Sequence, residues 1–125
     1  MEMGHGDEIV LADGNYPAAS NAKNLIRLDG QGIPELLKSI LEFFPLDSYV
    51  ESAFNLMAVT AADNFKPEIW KVYEETLRDS TAENQKIDQL ERFKFYERGK
   101  KAYAIVATGE EAIYANILLR KGVVK

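Results

Sequence analysis

Residues 4–14 read Gly-His-Gly-Asp-Glu-Ile-Val-Leu-Ala-Asp-Gly, and the first strand of the fold is predicted from them. Its centre, residues 9–11, is a continuous apolar run and not an alternating one. Such a run is typical of a strand that is covered on both faces of a sheet. We therefore predict a buried strand over Glu8–Ala12, which Asp13 and Gly14 end in a loop.

Outward from this strand, the chain continues with a second short strand and then a helix. The strand is predicted over residues 24–28, where Asp29 and Gly30 stop it. The helix is predicted over residues 33–44, because Pro34 suits a first turn and Pro45 marks an end. Its apolar face is formed at helical spacing by Ile33, Leu36, Leu37, Ile40, Leu41 and Phe44.

The rest of the chain repeats this alternation of short strands and helices. We predict an extended segment over 49–60, whose core residues are Phe54, Leu56, Met57 and Val59. A helix over 67–78 follows, then a polar break over 80–84 and a charged, solvated helix over 91–101. The chain ends with a strand over 103–107, a turn over 108–110 and a last strand over 116–119. The pattern predicts one α/β domain over residues 1–125, a three-layer sandwich with a central mixed, mostly parallel sheet and helices on both faces.

Composition excludes several classes of function. The formal net charge of -5 argues against nucleic acid, which requires a basic face. The chain has no cysteine, so neither a disulfide nor a zinc-thiolate site is possible. No apolar run is as long as a membrane span, and no signal pattern precedes the first strand. We expect a soluble, cytoplasmic protein without a membrane partner.

His5 is the single histidine and the first candidate for chemistry. Its unperturbed pKa suits proton transfer near neutrality, and the flanking glycines leave room beside the ring. A loop histidine held by Asp7 is the alternative, and the commoner situation. The glycines do not form a phosphate loop, because no Lys-Ser/Thr pair follows them. One histidine with nearby carboxylates does not predict a metal, and we expect neither a metal nor an organic cofactor.

Four further residues could contact a polar ligand. Asp13 follows a strand, where ligands of open α/β sheets bind, although turn formation before glycine is an equal alternative. Arg92 carries five donors, but most arginines in charged segments are simply solvated. Tyr114 and Asn116 stand where the last strand begins, and packing or local hydrogen bonding would also explain them.

Eight segments in one order carry a resemblance that spans nearly the whole chain. They are Gly-His-Gly-Asp-Glu-Ile at 4–9, Ala-Asp at 12–13, Pro-Ala at 17–18, Ile-Arg-Leu-Asp-Gly at 26–30, Arg-Phe-Lys-Phe-Tyr-Glu-Arg at 92–98, Ala-Thr-Gly-Glu at 107–110, Tyr-Ala-Asn-Ile-Leu-Leu at 114–119 and Lys-Gly-Val at 121–123. Together they resemble the L-fucose mutarotase and D-ribose pyranase family. Arg92 and the residues after it resemble the fucose branch, since the ribose branch tends to place a histidine near that arginine.

The resemblance implies specific roles. It implies His5 as the proton donor, and it implies that the substrate contacts are Asp13, Arg92, Tyr114, Ala115 and Asn116. It also implies a homo-oligomeric ring, often decameric, with sites where subunits meet. Members of the fucose branch often carry histidines at the positions of Asn15 and Ala19. Members usually have a helix before the histidine motif, and we expect this chain to lack it.

From these implications we expect a mutarotase that interconverts the anomers of L-fucose or a related monosaccharide. His5 would act as acid and base, with Tyr114 as a possible partner. A ribose pyranase and a sugar-binding module without turnover are the alternatives. We expect His5, Asp13, Arg92 and Tyr114 to converge at one end of the sheet. The aromatic residues Phe93, Phe95 and Tyr96, within a charged segment, suggest a subunit contact.

Overall fold

Six strands form one mixed sheet in the computed structural model, which describes residues 3–47, 52–60, 66–79 and 86–122. The strands are β1 Glu8–Ala12, β2 Leu25–Leu28, β3 Phe54–Met57, β4 Ile87–Leu90, β5 Ala104–Thr108 and β6 Ile117–Arg120. Their order across the sheet is β2-β5-β1-β6-β3-β4. The pairs β1-β5, β2-β5 and β3-β4 are parallel, whereas β6 runs antiparallel to β1 and to β3.

Helices cover both faces of this sheet, which confirms the predicted α/β architecture. They are α1 Ala18–Asn21, α2 Ile33–Phe43, α3 Ile69–Arg78 and α4 Arg92–Lys101. Successive side chains of β1 point to opposite faces. Ile9 and Leu11 pack in the core under α2 and α3, and Val10 and Ala12 pack in the core under α1 and α4. The apolar run of β1 is therefore continuous because the strand is covered on both faces, as the sequence predicted.

The predicted helices are present with small differences at their ends. The helix predicted over 67–78 begins at Ile69, and the one predicted over 91–101 begins at Arg92. The Glu91 carboxylate accepts hydrogen bonds from the backbone N–H groups of Phe93 and Lys94, so it caps α4. Among the helices of the described residues, none is long and apolar enough to cross a membrane.

Other expectations need correction. The extended segment predicted over 49–60 forms a strand only at Phe54–Met57, and residues 49–51, like the polar break at 80–84, lie outside the described residues. The sequence did not indicate β4, whose residues are mostly half-buried, or α1, which has four residues. α4 is not uniformly solvated, because Phe95 is fully buried against the sheet and is therefore not available for a subunit contact.

The sheet places chemical groups at two opposite edges. The parallel strands β1, β2, β3, β4 and β5 all end at one edge, where β6 begins. Asp13 follows β1 at this edge and Asn116 precedes β6. The other edge holds the start of β1 and the end of β6, with His5 and Lys121 near them. We call these the carboxyl edge and the amino edge.

Candidate active site

At the carboxyl edge, Asp13 connects the end of β1 to the segment before β6. Its Oδ2 accepts from the backbone N–H of Ala115 at 3.2 Å, and its Oδ1 accepts from that of Asn15 at 3.0 Å. Its own N–H donates to Oδ1 of Asn116 at 2.7 Å. Both Asp13 and Asn116 are only 4% exposed. Hydrogen bonds therefore hold Asp13 next to Ala115 and Asn116, so that the three residues lie together at the carboxyl edge.

Burial controls the charge of Asp13. Desolvation raises the pKa of its carboxyl above the usual value of 3.8, and the nearby Glu110 carboxylate adds to this. The hydrogen bonds from Ala115, Asn15 and Tyr16 act in the opposite direction, because they stabilise the ionised form. Asp13 is thus a carboxylate whose desolvation is only partly offset by backbone donors.

This raised pKa predicts how stability depends on pH. A folded-state pKa above the unfolded value favours the folded state fully at pH below 3.8, and that contribution is lost as pH rises through the folded pKa. Asp13→Asn removes the titration. We expect the difference in unfolding free energy, wild type minus variant, to be larger at pH 3.5 than at pH 7, measured by urea unfolding. A difference that stays constant, or that grows with pH, would contradict the raised pKa.

Tyr114 lies beside this cluster in an unusual backbone conformation. Its φ is 56°, in the left-handed region that L side chains seldom adopt. Its carbonyl accepts from Nε1 of Trp70 at 2.7 Å, and its hydroxyl lies 3.5 Å from Oγ1 of Thr60. The next carbonyl, of Ala115, accepts from the hydroxyl of Tyr73 at 2.7 Å. The segment 114–116 is therefore fixed by Asp13, which follows β1, and by two side chains of α3.

Glu110 fixes the neighbouring turn at the same edge. Its Oε1 accepts from the N–H of Ile33, at the first residue of α2, and its Oε2 accepts from the N–H of Ala112. Its carbonyl accepts from the N–H of Gly14 at 2.9 Å. A carboxylate at the start of a helix also matches the helix dipole. Glu110 thus connects β5, the Asp13 loop and α2.

Arg92 stands at the carboxyl edge but to one side of the Asp13 cluster. It begins α4 immediately after β4, and three strand spacings, about 14 Å, separate β4 from β1. Its side chain is exposed, and its guanidinium lies 4.8 Å from the ring centroid of Phe93. A cation over an aromatic face is a favourable contact that keeps the group oriented.

His5 lies at the amino edge. Its Nε2 is 3.2 Å from Oδ1 of Asp47, and its side chain is 46% exposed. Oδ2 of Asp47 accepts from Nε of Arg120 at 2.9 Å, and Asp47 is buried. His5 therefore contacts Asp47 and not Asp7, which was the alternative. The Asp7 carboxylate instead accepts from the N–H of Gly4.

Within one chain, the four residues expected to converge do not do so. The five residues of β1 span about 13 Å and separate His5 from Asp13, because one precedes the strand and the other follows it. The structure brings together Asp13, Tyr114, Ala115 and Asn116, places Arg92 further along the same edge, and leaves His5 at the other.

The sequence reasoning missed five residues that shape these two places: Asp47, Trp70, Tyr73, Glu110 and Arg120. Trp70 and Tyr73 lie within the helix predicted over 67–78, and both carry a polar donor that seeks a partner when buried. Asp47 and Arg120 gave no local signal, because their contacts with each other and with His5 join distant parts of the chain. Among the described residues, no group of His, Asp and Glu is arranged to hold a metal ion.

Comparison with known proteins places this arrangement in a family. Human fucose mutarotase is 50% identical over 127 residues, which cover 97% of this chain and 82% of the human protein. The crystal structure of the fucose mutarotase from Streptococcus pneumoniae in complex with L-fucose is 58% identical, has a TM-score of 0.95, and matches 99% of this chain and 88% of that chain. Bacillus subtilis RbsD complexed with D-ribose is 26% identical, with a TM-score of 0.75, over 99% of this chain and 88% of that one.

The family model covers nearly all of the sequence. The RbsD / FucU transport protein family model matches residues 1–124. The match includes the strand β1, both edges of the sheet and the segment 114–116. This chain belongs to the RbsD / FucU transport protein family.

Proposed function

We infer that this protein is a sugar mutarotase that interconverts the α and β anomers of L-fucose. The observation that carries the inference is the close match, at a TM-score of 0.95 and 58% identity, to a fucose mutarotase whose structure holds L-fucose. The carboxyl edge supports it chemically. A neutral polyhydroxylated ligand needs carboxylate, amide and hydroxyl groups in one place, and Asp13, Tyr114 and Asn116 supply one of each.

A complete site needs His5 beside this cluster, and one chain does not bring it there. We propose a homo-oligomer in which His5 of one copy faces the carboxyl edge of its neighbour. Exposed apolar side chains support an association between copies. So does the position of β2 as an outermost strand, which within the described part of the chain pairs with β5 alone. The large exposed apolar residues near the carboxyl edge and along β2 are Leu25, Ile26, Phe93 and Ile113.

Anomer exchange requires two coupled proton transfers. One group protonates the ring oxygen while another removes the proton of the anomeric hydroxyl, and the C1–ring oxygen bond breaks to give the open aldehyde. Rotation about the C1–C2 bond and closure with reversed roles give the other anomer. Substrate and product have the same oxidation state, so the step balances without an electron acceptor. We assign one transfer to His5 and propose Tyr114 as the group for the other.

Asp47 prepares His5 for this role. If Nε2 donates to the Asp47 carboxylate, the opposite nitrogen, Nδ1, is the one that exchanges a proton with the sugar. Arg120 holds the other oxygen of Asp47, which keeps the carboxylate oriented. Asp13 and Asn116 then hold sugar hydroxyls, since carboxylate and amide oxygens retain further lone pairs beyond their backbone partners. Arg92, which lies further along the same edge, is proposed as a further contact that donates to the sugar.

A ribose pyranase is the second candidate, and the match to RbsD complexed with D-ribose favours it. The same acid and base would serve both sugars, so the shape of the site determines which sugar is the substrate. The lower identity of 26%, against 58% for the fucose mutarotase, makes L-fucose the first choice. The lack of cysteine supports a reducing compartment, and we propose the cytoplasm.

Exchange NMR tests the proposed function. The purified protein is added to equilibrated L-fucose and, separately, to D-ribose, and magnetisation transfer between the anomeric signals gives the rate above the uncatalysed one. We expect faster exchange for L-fucose than for D-ribose. Saturation transfer from protein to sugar without any added exchange would instead identify a binding module.

A further inference from the structure

The segment 114–116 carries the proposed sugar contacts, and its conformation is not one that the chain adopts unaided. Among the described residues, Tyr114 is the only one other than glycine with a positive φ. An unconstrained tyrosine returns to a negative φ, which would turn its side chain and shift Asn116. Something outside the segment must therefore hold it.

One face of α3 supplies that hold. Trp70 and Tyr73 are three residues apart, so their side chains leave the helix on the same face. The indole N–H donates to the carbonyl of Tyr114, and the Tyr73 hydroxyl donates to the carbonyl of Ala115, each at 2.7 Å. Two successive carbonyls thus receive donors from one helix. We call Trp70 and Tyr73 the α3 donor pair.

Both groups act as donors at any pH at which the protein functions. An indole N–H can only donate. Tyr73 is fully buried, and desolvation raises the pKa of its hydroxyl far above the usual value, with Glu110 and Asp13 adding to the effect. The hydroxyl therefore stays protonated. Its acceptor, the carbonyl of Ala115, belongs to a residue that is itself fully buried, so water does not readily replace it.

We propose that Trp70 and Tyr73 are positioning residues of the sugar site, which hold Tyr114 in its left-handed conformation so that its hydroxyl meets the sugar. The proposal rests on the proposed function. Neither residue is a catalytic residue, because both act through the backbone of 114 and 115. The opposing contact, from the N–H of Ala115 to Asp13, completes the arrangement.

Tyr73→Phe and Trp70→Phe test the proposal, since each removes a donor and keeps a ring. We expect kcat for L-fucose exchange to fall about 10-fold to 100-fold, as misplaced groups do, with a smaller change in KM. Thr76→Val is the matched control. The Thr76 hydroxyl also lies on α3 but donates to the carbonyl of Val72 within the helix, so we expect an unchanged kcat.

A double-mutant cycle separates positioning from general stability. If Tyr73 acts by placing the Tyr114 hydroxyl, Tyr73→Phe should lower kcat in the wild-type background and have little effect in the Tyr114→Phe background. Equal losses in both backgrounds, or no loss in either, would overturn the proposal. Cooperative urea unfolding of every variant excludes loss of the fold.

A readout without turnover keeps this proposal distinct from the function on which it rests. The amide-to-α-proton coupling and carbon shifts of Tyr114 report its φ directly. We expect Tyr73→Phe and Trp70→Phe to move them towards values for negative φ, and Thr76→Val to leave them unchanged. An unchanged coupling and unchanged carbon shifts of Tyr114 in both test variants would contradict the proposal that Trp70 and Tyr73 fix its φ. A wild type that shows this conformational dependence but no exchange would overturn the proposed function alone.

Discussion

His5→Ala is expected to lower the rate of L-fucose anomer exchange by roughly 10²–10⁴-fold, the usual contribution of a positioned acid–base group. The physical reason is that a methyl group cannot move a proton, and the chain has no second histidine to replace it. The rate is measured by exchange NMR between the anomeric signals, across pH 5 to 9, with the uncatalysed rate subtracted.

The fold should survive this change. His5 lies in a loop, is nearly half exposed and packs in neither of the two apolar cores. Unfolding by urea and the oligomeric mass therefore serve as controls, and Asp79→Ala, an exposed residue at the end of α3, serves as a surface variant that should keep full activity. Full exchange activity in His5→Ala would remove His5 from the mechanism.

Gly109→Ala is expected to cost about 1–3 kcal/mol of unfolding free energy, as overpacking does. Gly109 follows β5, and an added Cβ would lie 2.0 Å from the carbonyl oxygen of Asp29. That oxygen belongs to the backbone, so the contact cannot be relieved by rotating a side chain. The turn that carries Glu110 must shift, and exchange activity should fall as well.

Gly30→Ala is the matched control for this prediction. An added Cβ at Gly30 meets no atom within 4 Å, although Gly30 directly follows Asp29. We expect its unfolding free energy, measured in urea, to stay within about 0.5 kcal/mol of that of the wild type, as with most surface changes. Equal destabilisation by both substitutions would mean that the loss comes from glycine flexibility and not from the contact with Asp29.

The sequence predicted the parts of the fold whose signal is local. A continuous apolar run revealed β1, and helical spacing with Pro34 revealed α2. The strand β4 gave no such signal, because the two apolar residues of Ile-Asp-Gln-Leu are separated by two polar ones, which is neither a continuous apolar run nor a strict alternation. Its place is decided by pairing with β3, which the local pattern does not contain.

The site was predictable in its residue types but only partly in its arrangement. Asp13 and Asn116 could be singled out, and the structure joins them across 103 positions of sequence. The distance between His5 and Asp13 could be anticipated, because the strand predicted over Glu8–Ala12 already places His5 before it and Asp13 after it, which argues against their convergence within one chain. Trp70 and Tyr73 were concealed by their apolar rings, since only the fold reveals that their polar atoms meet the carbonyls of 114 and 115.

Each site of the proposed homo-oligomer would combine His5 of one copy with Asp13 of another, and subunit complementation tests this arrangement. His5→Ala and Asp13→Asn are each expected to be nearly inactive alone. The two proteins are unfolded together, refolded at equal concentration and assayed by L-fucose exchange NMR. With random assembly of a homo-oligomer, about a quarter of the sites would receive both native residues. We expect about a quarter of the wild-type rate to return on co-refolding, and a mixture that stays as inactive as its components would show that the two residues do not meet across copies.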